Sequence, residues 1–300
     1  RIISYDKTGW RLDADPRHAE LIVEQLGGDM LKVVTTPGVD GLMETDDDND
    51  VDIEGADITR FRGVAARCNY LSFDRPDIQY STKEVCREMS KPTTGSLRRL
   101  QRIRQYLKGK PRLIWNFEMQ HPVDILSVYT DSDWAGCRKT RKSSSGGTIM
   151  RGSHCLKTWS KTQAIVAKSS AEAELYAVVR GATEGSGIAI LLSDFGVALR
   201  IEVNIDAAAA KGIIELRGLQ KLRHIDLDVL WLLEQKARRL LPVDTIQGTD
   251  NISDLMTKNL AGPTIDKYIP MMNLNFAEGR SAIAQNLHSI GLKMITGRKG

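Results

Sequence analysis

A chain of 300 residues and 33.4 kDa is too long for one minimal domain and comfortable for two. With 41% apolar and 27% charged residues it can bury a core, which excludes collagen-like, low-complexity and wholly disordered chains. The net charge of +4 conceals an uneven distribution: residues 44–57 carry eight acids and no base, residues 98–112 seven bases and no acid. Away from the acidic run the chain is cationic, which suits a polyanionic partner, although each basic cluster taken singly is also what a solvated helix face looks like. The apolar runs IAILL (188–192) and VLWLL (229–233) fall far short of the ~20 residues that span a bilayer. No signal sequence opens the chain, and no membrane partner is expected. Arg1 in place of Met suggests a fragment or processed segment. Cys68, Cys86, Cys137 and Cys155 form no CxxC pair and no zinc spacing, so they are expected as reduced core thiols of an intracellular protein.

GWRLDAD near the N-terminus reads as a short strand, and residues 16–26 as a helix stopped by Gly27 and Gly28. The acidic run reads as an exposed linker. Its Asp48, Asp50 and Asp52 fail the calcium-loop register, because Ile53 stands where the turn needs Gly and Thr59 where a bidentate Glu belongs. Residues 58–110 read as helices. In 96–109, Leu97, Leu100, Ile103 and Leu107 form an apolar stripe, while Arg98, Arg99, Arg102 and Lys108 lie off it and are expected to be exposed. MQHP (119–122) marks a boundary. Beyond it come a buried strand (123–130), a hairpin (145–159), a long helix (169–192) and a strand (201–206). A helix (222–239), a strand (240–247) and a last short helix opened by NISDLMTK (251–258) follow, then a tail of broken periodicity from 261.

Four acids stand where such elements begin or end. Asp131 closes strand 123–130, Asp206 closes strand 201–206, Glu174 lies in the first turns of helix 169–192, and Asp254 in the first turn of the last helix. Any one alone is ordinary turn or cap chemistry. Together, on one rim of a mixed sheet, they are suited to hold two Mg²⁺ ions about 4 Å apart for in-line attack on a phosphodiester. At about 100° per residue, Glu174 lies about 60° from the centre of the helix's buried stripe and Glu172 about 100°. Glu172 also completes an S-x-x-E capping box with Ser169, so Glu174 is the candidate ligand. Asp133, beyond the strand in a polar turn, ranks below Asp131.

YTDSDWAG (129–136), KTRKSSSG (139–146), TWSKTQ (158–163), SSAEAELYA (169–177), NIDAAAAKGI (204–213), RHIDL (223–227) and NISDLMTK resemble, in that order, the ribonuclease H domain of copia-type retrotransposon polyproteins. DADPRHAELIV (13–23), VTTPG (34–38), residues 64–93 and the basic helix ending YLKG resemble the end of the palm and the thumb or connection of the reverse transcriptase in the same polyproteins. The resemblance implies an α/β fold, a ribonuclease H-like mixed sheet flanked by helices over 119–260. A palm end (1–43), an acidic linker (44–57) and mainly helical thumb/connection segments (58–118) would precede it, and a tail (261–300) follow.

It further implies an endonuclease that cleaves the RNA strand of an RNA/DNA hybrid, leaving 3′-hydroxyl and 5′-phosphate ends. Asp131, Glu174, Asp206 and Asp254 would be its acidic tetrad, holding two Mg²⁺ ions for which Mn²⁺ can substitute. Asp131 would bridge the ions, Asp254 help hold the water-activating ion, and Glu174 and Asp206 the leaving-group ion. Arg138, Lys139, Arg141 and Lys142 with Ser143, Ser144 and Ser145 would sit near phosphates, as would Arg98, Arg99, Arg102 and Lys108 of the thumb. RNA would be told from DNA by its 2′-hydroxyls and by hybrid shape. The remaining partners would be the rest of the Pol polyprotein, namely palm and fingers and integrase, in a cytoplasmic particle or the nucleus.

Three departures stand out. Ala207 to Ala210 follow Asp206 where small polar residues are usual, loop 247–253 has no His, and no YxDD polymerase element is present, so no DNA synthesis is expected. The alternative is a catalytically inactive relic that binds nucleic acid as a connection or scaffold module.

Overall fold

The computed structural model describes residues 1–27, 32–40, 50–215, 227–238 and 241–284. Residues 44–49 of the acidic run, the start of the helix expected from 222, and residues 285–300 of the tail lie outside them. Contacts divide the chain into two units, Arg1–Asn116 with the segment from Leu274 onward, and Phe117–Asn273.

In the first unit, strands β1 (Ile2–Asp6) and β2 (Gly9–Asp13) form a hairpin. Helix α1 (Pro16–Gln25) starts at Asp15, whose carboxylate accepts from Arg17 N at 3.0 Å, with Pro16 preset for the first turn. Helices α2 (Ala56–Leu71), α3 (Pro76–Cys86) and α4 (Thr94–Gly109) follow. The expected α4 stripe is buried at Leu100, Ile103 and Leu107, against Ile22, Phe61, Val64 and Leu71. Strand β3 (Arg112–Glu118) extends the hairpin sheet and pairs with a C-terminal strand, Leu274–Ala277. Neither strand is evident in the sequence pattern.

The described part of the acidic run is not a free linker. Asp50 accepts from Gly95 N at 2.7 Å and Thr94 Oγ1 at 3.2 Å at the start of α4, and Ile53 joins the core. Unsatisfied N–H groups and the positive end of the helix dipole draw that carboxylate in.

The second unit is built on a five-stranded sheet. Its strands are β4 (Ile125–Asp133), β5 (Ser144–Arg151), β6 (His154–Thr162), β7 (Arg200–Ile205) and β8 (Val243–Thr245), in the order β6-β5-β4-β7-β8. β4, β5 and β6 are antiparallel, while β7 and β8 run parallel to β4. Helix α5 (Ser170–Asp194) is, by length and composition alone, apolar enough to cross a membrane. In this fold its inner face, including Leu175, Val178 and Ala182, packs with Leu126, Val128, Val203 and Ile205. Helices α6 (Ala208–Glu215) and α7 (Leu227–Ala237) follow β7, and α8 (Gly262–Met271) occupies part of what the sequence presents as tail. NISDLMTK forms a 3₁₀ turn, Ile252–Met256. All four cysteines are free thiols, with Cys68 and Cys155 buried.

Small residues let α5 approach the sheet. A Cβ on Gly181 would stand 2.3 Å from Thr130 Cγ2 and 3.1 Å from Val128 Cγ1. Ala normally stabilises a helix interior by about 1 kcal/mol relative to Gly. Gly181→Ala is instead expected to destabilise the protein by roughly 1–3 kcal/mol through overpacking. Chemical denaturation measures this, and an unchanged or raised midpoint would mean that α5 sits farther from β4.

Candidate active site

β4 and β7 are adjacent and parallel, so their C-terminal ends open on the same edge of the sheet. Asp131 near the end of β4 and Asp206 immediately after β7 are thereby brought to one rim, and the N-terminal part of α5 delivers Glu174 to it. Carboxylate oxygens of Asp131, Glu174 and Asp206 lie within 4.8 Å of one another, with Asp131 and Glu174 buried. Asp133 is not part of this group.

Glu174 Oε1 accepts from Ser132 N at 3.1 Å and Ser132 Oγ at 2.8 Å, while its Oε2 is buried without a hydrogen-bond partner. Asp254 joins through the 3₁₀ turn. Lys258, one turn on, places Nζ 2.8 Å from Asp254 and 3.7 Å from Asp131, and Thr257 Oγ1 donates to Asp131 Oδ2.

Asn251 ties this turn to the sheet. Its Nδ2 donates to Thr130 O at 3.0 Å, its Oδ1 accepts from Ser253 N, and its amide also favours the ionised form of Asp206. The turn packs closely because Gly146, opposite Asp131 on β5, has no side chain. A Cβ there would lie 2.6 Å from Thr257 Cγ2 and 2.7 Å from Met256 Cβ. Asn251, Thr257, Lys258 and Gly146 have no assigned part in the sequence reading. Each lies inside a quoted motif, but only the packing reveals what it touches.

Confinement perturbs the acids. Burial, reinforced by the Asp131 charge, pushes Glu174 up to about 8 and Asp254 up to about 7, and raises Asp206 above the usual carboxylate range. Burial works against the Lys258 ammonium, but Asp131 and Asp254 outweigh it and hold the group above its ordinary value. Glu172 stands apart as a cap: its Oε2 accepts from Lys168 N at 2.8 Å while Ser169 Oγ accepts from Glu172 N at 3.2 Å.

The basic candidates divide. Arg138, Lys139 and Arg141 are exposed and Lys142 is half-buried in the turn between β4 and β5. Ser143, Ser144 and Ser145 are buried, which corrects their expected place beside phosphates. Ser143 Oγ accepts from Ala135 N and Ser145 Oγ from Gln163 Nε2, so their hydroxyls hold the strand ends together. In the first unit Arg98 and Lys108 are exposed, but Arg99 is buried and pairs with Glu88 at 3.1 Å, and Arg102 donates to Thr36 Oγ1 at 2.7 Å. The expectation that Arg99 and Arg102 face phosphates is corrected accordingly. Neighbouring elements that the helical wheel does not contain supply them with intramolecular partners.

A mixed sheet whose three antiparallel strands adjoin two parallel ones, with acids at the ends of the central pair and a long helix across it, is a ribonuclease H-like fold. Homologues of the chain include copia-type Pol polyproteins of plant transposons. The Retrovirus-related Pol polyprotein from transposon RE1 of Arabidopsis thaliana is 32% identical over 212 residues, 68% of this chain and 14% of that one. That from transposon TNT 1-94 of Nicotiana tabacum is 29% identical over 186 residues, 61% of this chain and 14% of its own. The chain therefore spans about one seventh of the length of these relatives. Among solved structures, LC11-RNase H1, isolated from compost, overlaps 48% of this chain and 98% of its own at 19% identity and a TM-score of 0.33. No family model matches the chain.

The raised Glu174 value has a measurable consequence. The folded protein binds that proton more tightly than the unfolded chain, so the stability it contributes is present below about pH 4.5 and lost as pH rises towards about 8. Glu174→Gln is expected to leave the cation-free melting temperature nearly unchanged at pH 5 and to raise stability by roughly 1–3 kcal/mol at pH 8.5. Thermal denaturation in EDTA at the two pH values measures it; an equal shift at both would refute the buried-carboxylate assignment.

Proposed function

We propose that the second unit is an endonuclease that hydrolyses the RNA strand of RNA/DNA hybrids with the help of two Mg²⁺ ions. The observation that carries this reading is the convergence of Asp131, Glu174 and Asp206 to within 4.8 Å, with a Glu174 oxygen buried and without a protein partner. Proteins rarely bury such an oxygen unpaired unless something else satisfies it. The donor set is entirely carboxylate oxygen, which suits hard divalent cations such as Mg²⁺ or Mn²⁺. Asp131, Glu174, Asp206 and Asp254 would hold the ions. Bound there, they supply charge stabilisation at the phosphate and a lowered water pKa.

The reaction class is hydrolysis. A water oxygen bonds to phosphorus, the bond from phosphorus to the 3′ oxygen breaks, and the products are a 3′-hydroxyl and a 5′-phosphate. Ser132 holds Glu174 in its rotamer, Thr257 orients Asp131, and Asn251 keeps Asp206 and the Asp254 turn in register with the sheet. Arg138, Lys139 and Arg141, exposed on the turn after β4, are suited to contact substrate phosphates, which positions a duplex without reading its sequence. The first unit is assigned to the reverse-transcriptase end of the polyprotein, and the intracellular setting expected from the sequence is retained.

Cleavage of a labelled RNA/DNA hybrid in Mg²⁺ and in EDTA tests the reading. Asp131→Asn is expected to reduce cleavage at least about a thousandfold, since an amide is a poor ligand shared between cations. Hybrid affinity in EDTA should be nearly unchanged. A wild-type protein that binds hybrid but leaves it intact in Mg²⁺ would instead support an inactive scaffold module.

Changing Arg138, Lys139 and Arg141 together to Gln is expected to weaken hybrid binding and flatten its log–log salt dependence by roughly two to three. Filter binding across a salt series measures the slope, and an unaltered slope would leave this turn outside the interface.

A further inference from the structure

The two halves of the carboxylate site are compensated differently. On the Glu174 side, among the described residues, Glu174 accepts only from Ser132 and its Oε2 has no protein partner. On the Asp254 side a cation is already supplied by the chain: Lys258 Nζ stands 2.8 Å from Asp254 Oδ1, which has this ion pair but no hydrogen bond among the described residues, and 3.7 Å from Asp131. Thr257 also touches Asp131 but brings no charge. The Lys258 side chain is 43% exposed, whereas that of Asp131 is 5% exposed, so the ammonium can leave towards solvent and the carboxylate cannot follow.

Given the two-cation reading of this site, we infer that Lys258 is a built-in placeholder for the cation on the Asp131–Asp254 side, and that it must move out before the second ion enters. With all four acids ionised, two divalent cations balance them completely. Lys258 would then be a surplus positive charge within contact distance of an incoming ion, and like charges a few ångströms apart repel strongly where water is scarce. In the cation-free protein the same ammonium offsets the mutual repulsion of Asp131 and Asp254. It is thus a positioning residue that sets the order of loading, first the Glu174 side and then the Asp254 side. It also allows the site to fold before any ion arrives.

Calorimetric titration of the full chain with Mg²⁺ alone, without substrate, tests this. Wild type is expected to show a stronger and a weaker class of site. Lys258→Met should tighten the weaker class by about tenfold and leave the stronger within about twofold. Lys258→Arg, which keeps the charge, should behave as wild type. In EDTA the melting temperature of Lys258→Met should fall below wild type, and saturating Mg²⁺ should close the gap. Should the Met variant fail to fold, Lys258→Gln is read the same way. Two ions bound with an unchanged weaker class in the neutral variants would overturn the placeholder role and leave the two-cation reading standing. No Mg²⁺ bound by wild type or any variant would overturn both.

Discussion

Carboxylates gathered within 4.8 Å in a largely buried setting repel one another, and the second unit is organised around keeping them there. Asp131 occupies the central strand, where its backbone is held by pairing with β5, beside the β4–β7 ladder. Around it, Ser132 orients Glu174, Thr257 and Lys258 engage Asp131, and Asn251 anchors the turn that carries Asp254. Burial first, and the Asp131 charge second, raise the proton affinities of Glu174, Asp206 and Asp254. Under the proposed function divalent cations would relieve the repulsion, and stability and cation binding would then be linked in this unit.

The cost of holding the acids together is distributed through the packing. Gly146 gives the Asp254 turn room to lie on β5, and Gly181 lets α5 approach β4 at the strand that bears Asp131. Neither glycine is needed for backbone conformation here; each is needed for the absence of a side chain. A methyl at either position would push an acid-bearing element away from the strand it packs on. The buried Ser143 and Ser145 play a related part, their hydroxyls holding strand ends together beside the exposed Arg138, Lys139 and Arg141.

The first unit shows the same economy with basic residues. Arg75 is fully buried, donating to Asp77 and to the carbonyls of Lys110 and Pro111, and so links the starts of α3 and β3. Arg99 and Arg102 of α4 are likewise bound to Glu88 and Thr36. A run of seven bases is therefore partly an internal framework, and only some of its charge remains at the surface to attract a polyanion.

The sequence by itself determined the approximate place of the elements that carry strong local signals. Apolar spacing and strong end signals fixed α1 behind Asp15 and Pro16, the α4 stripe, the hairpin of β5 and β6, and α5 behind Ser169. Asp131, Glu174, Asp206 and Asp254 could be picked out as candidates because strand ends and helix starts are local features, and the first three are the ones that come within 4.8 Å of one another. β3 and the strand Leu274–Ala277 were not, since they pair across more than 150 residues and each depends on a partner that no local window contains. The fate of an arginine on a helical wheel was equally hidden, because a wheel shows which way a side chain points and not what another segment brings to meet it. Only the tertiary structure decided that three acids lie within 4.8 Å of one another, that Lys258 stands beside Asp131, and that Ser143 to Ser145 are buried. Those outcomes depend on distances between segments far apart in the chain, and such distances are set by how the sheet is ordered and how closely α5 and the 3₁₀ turn pack upon it.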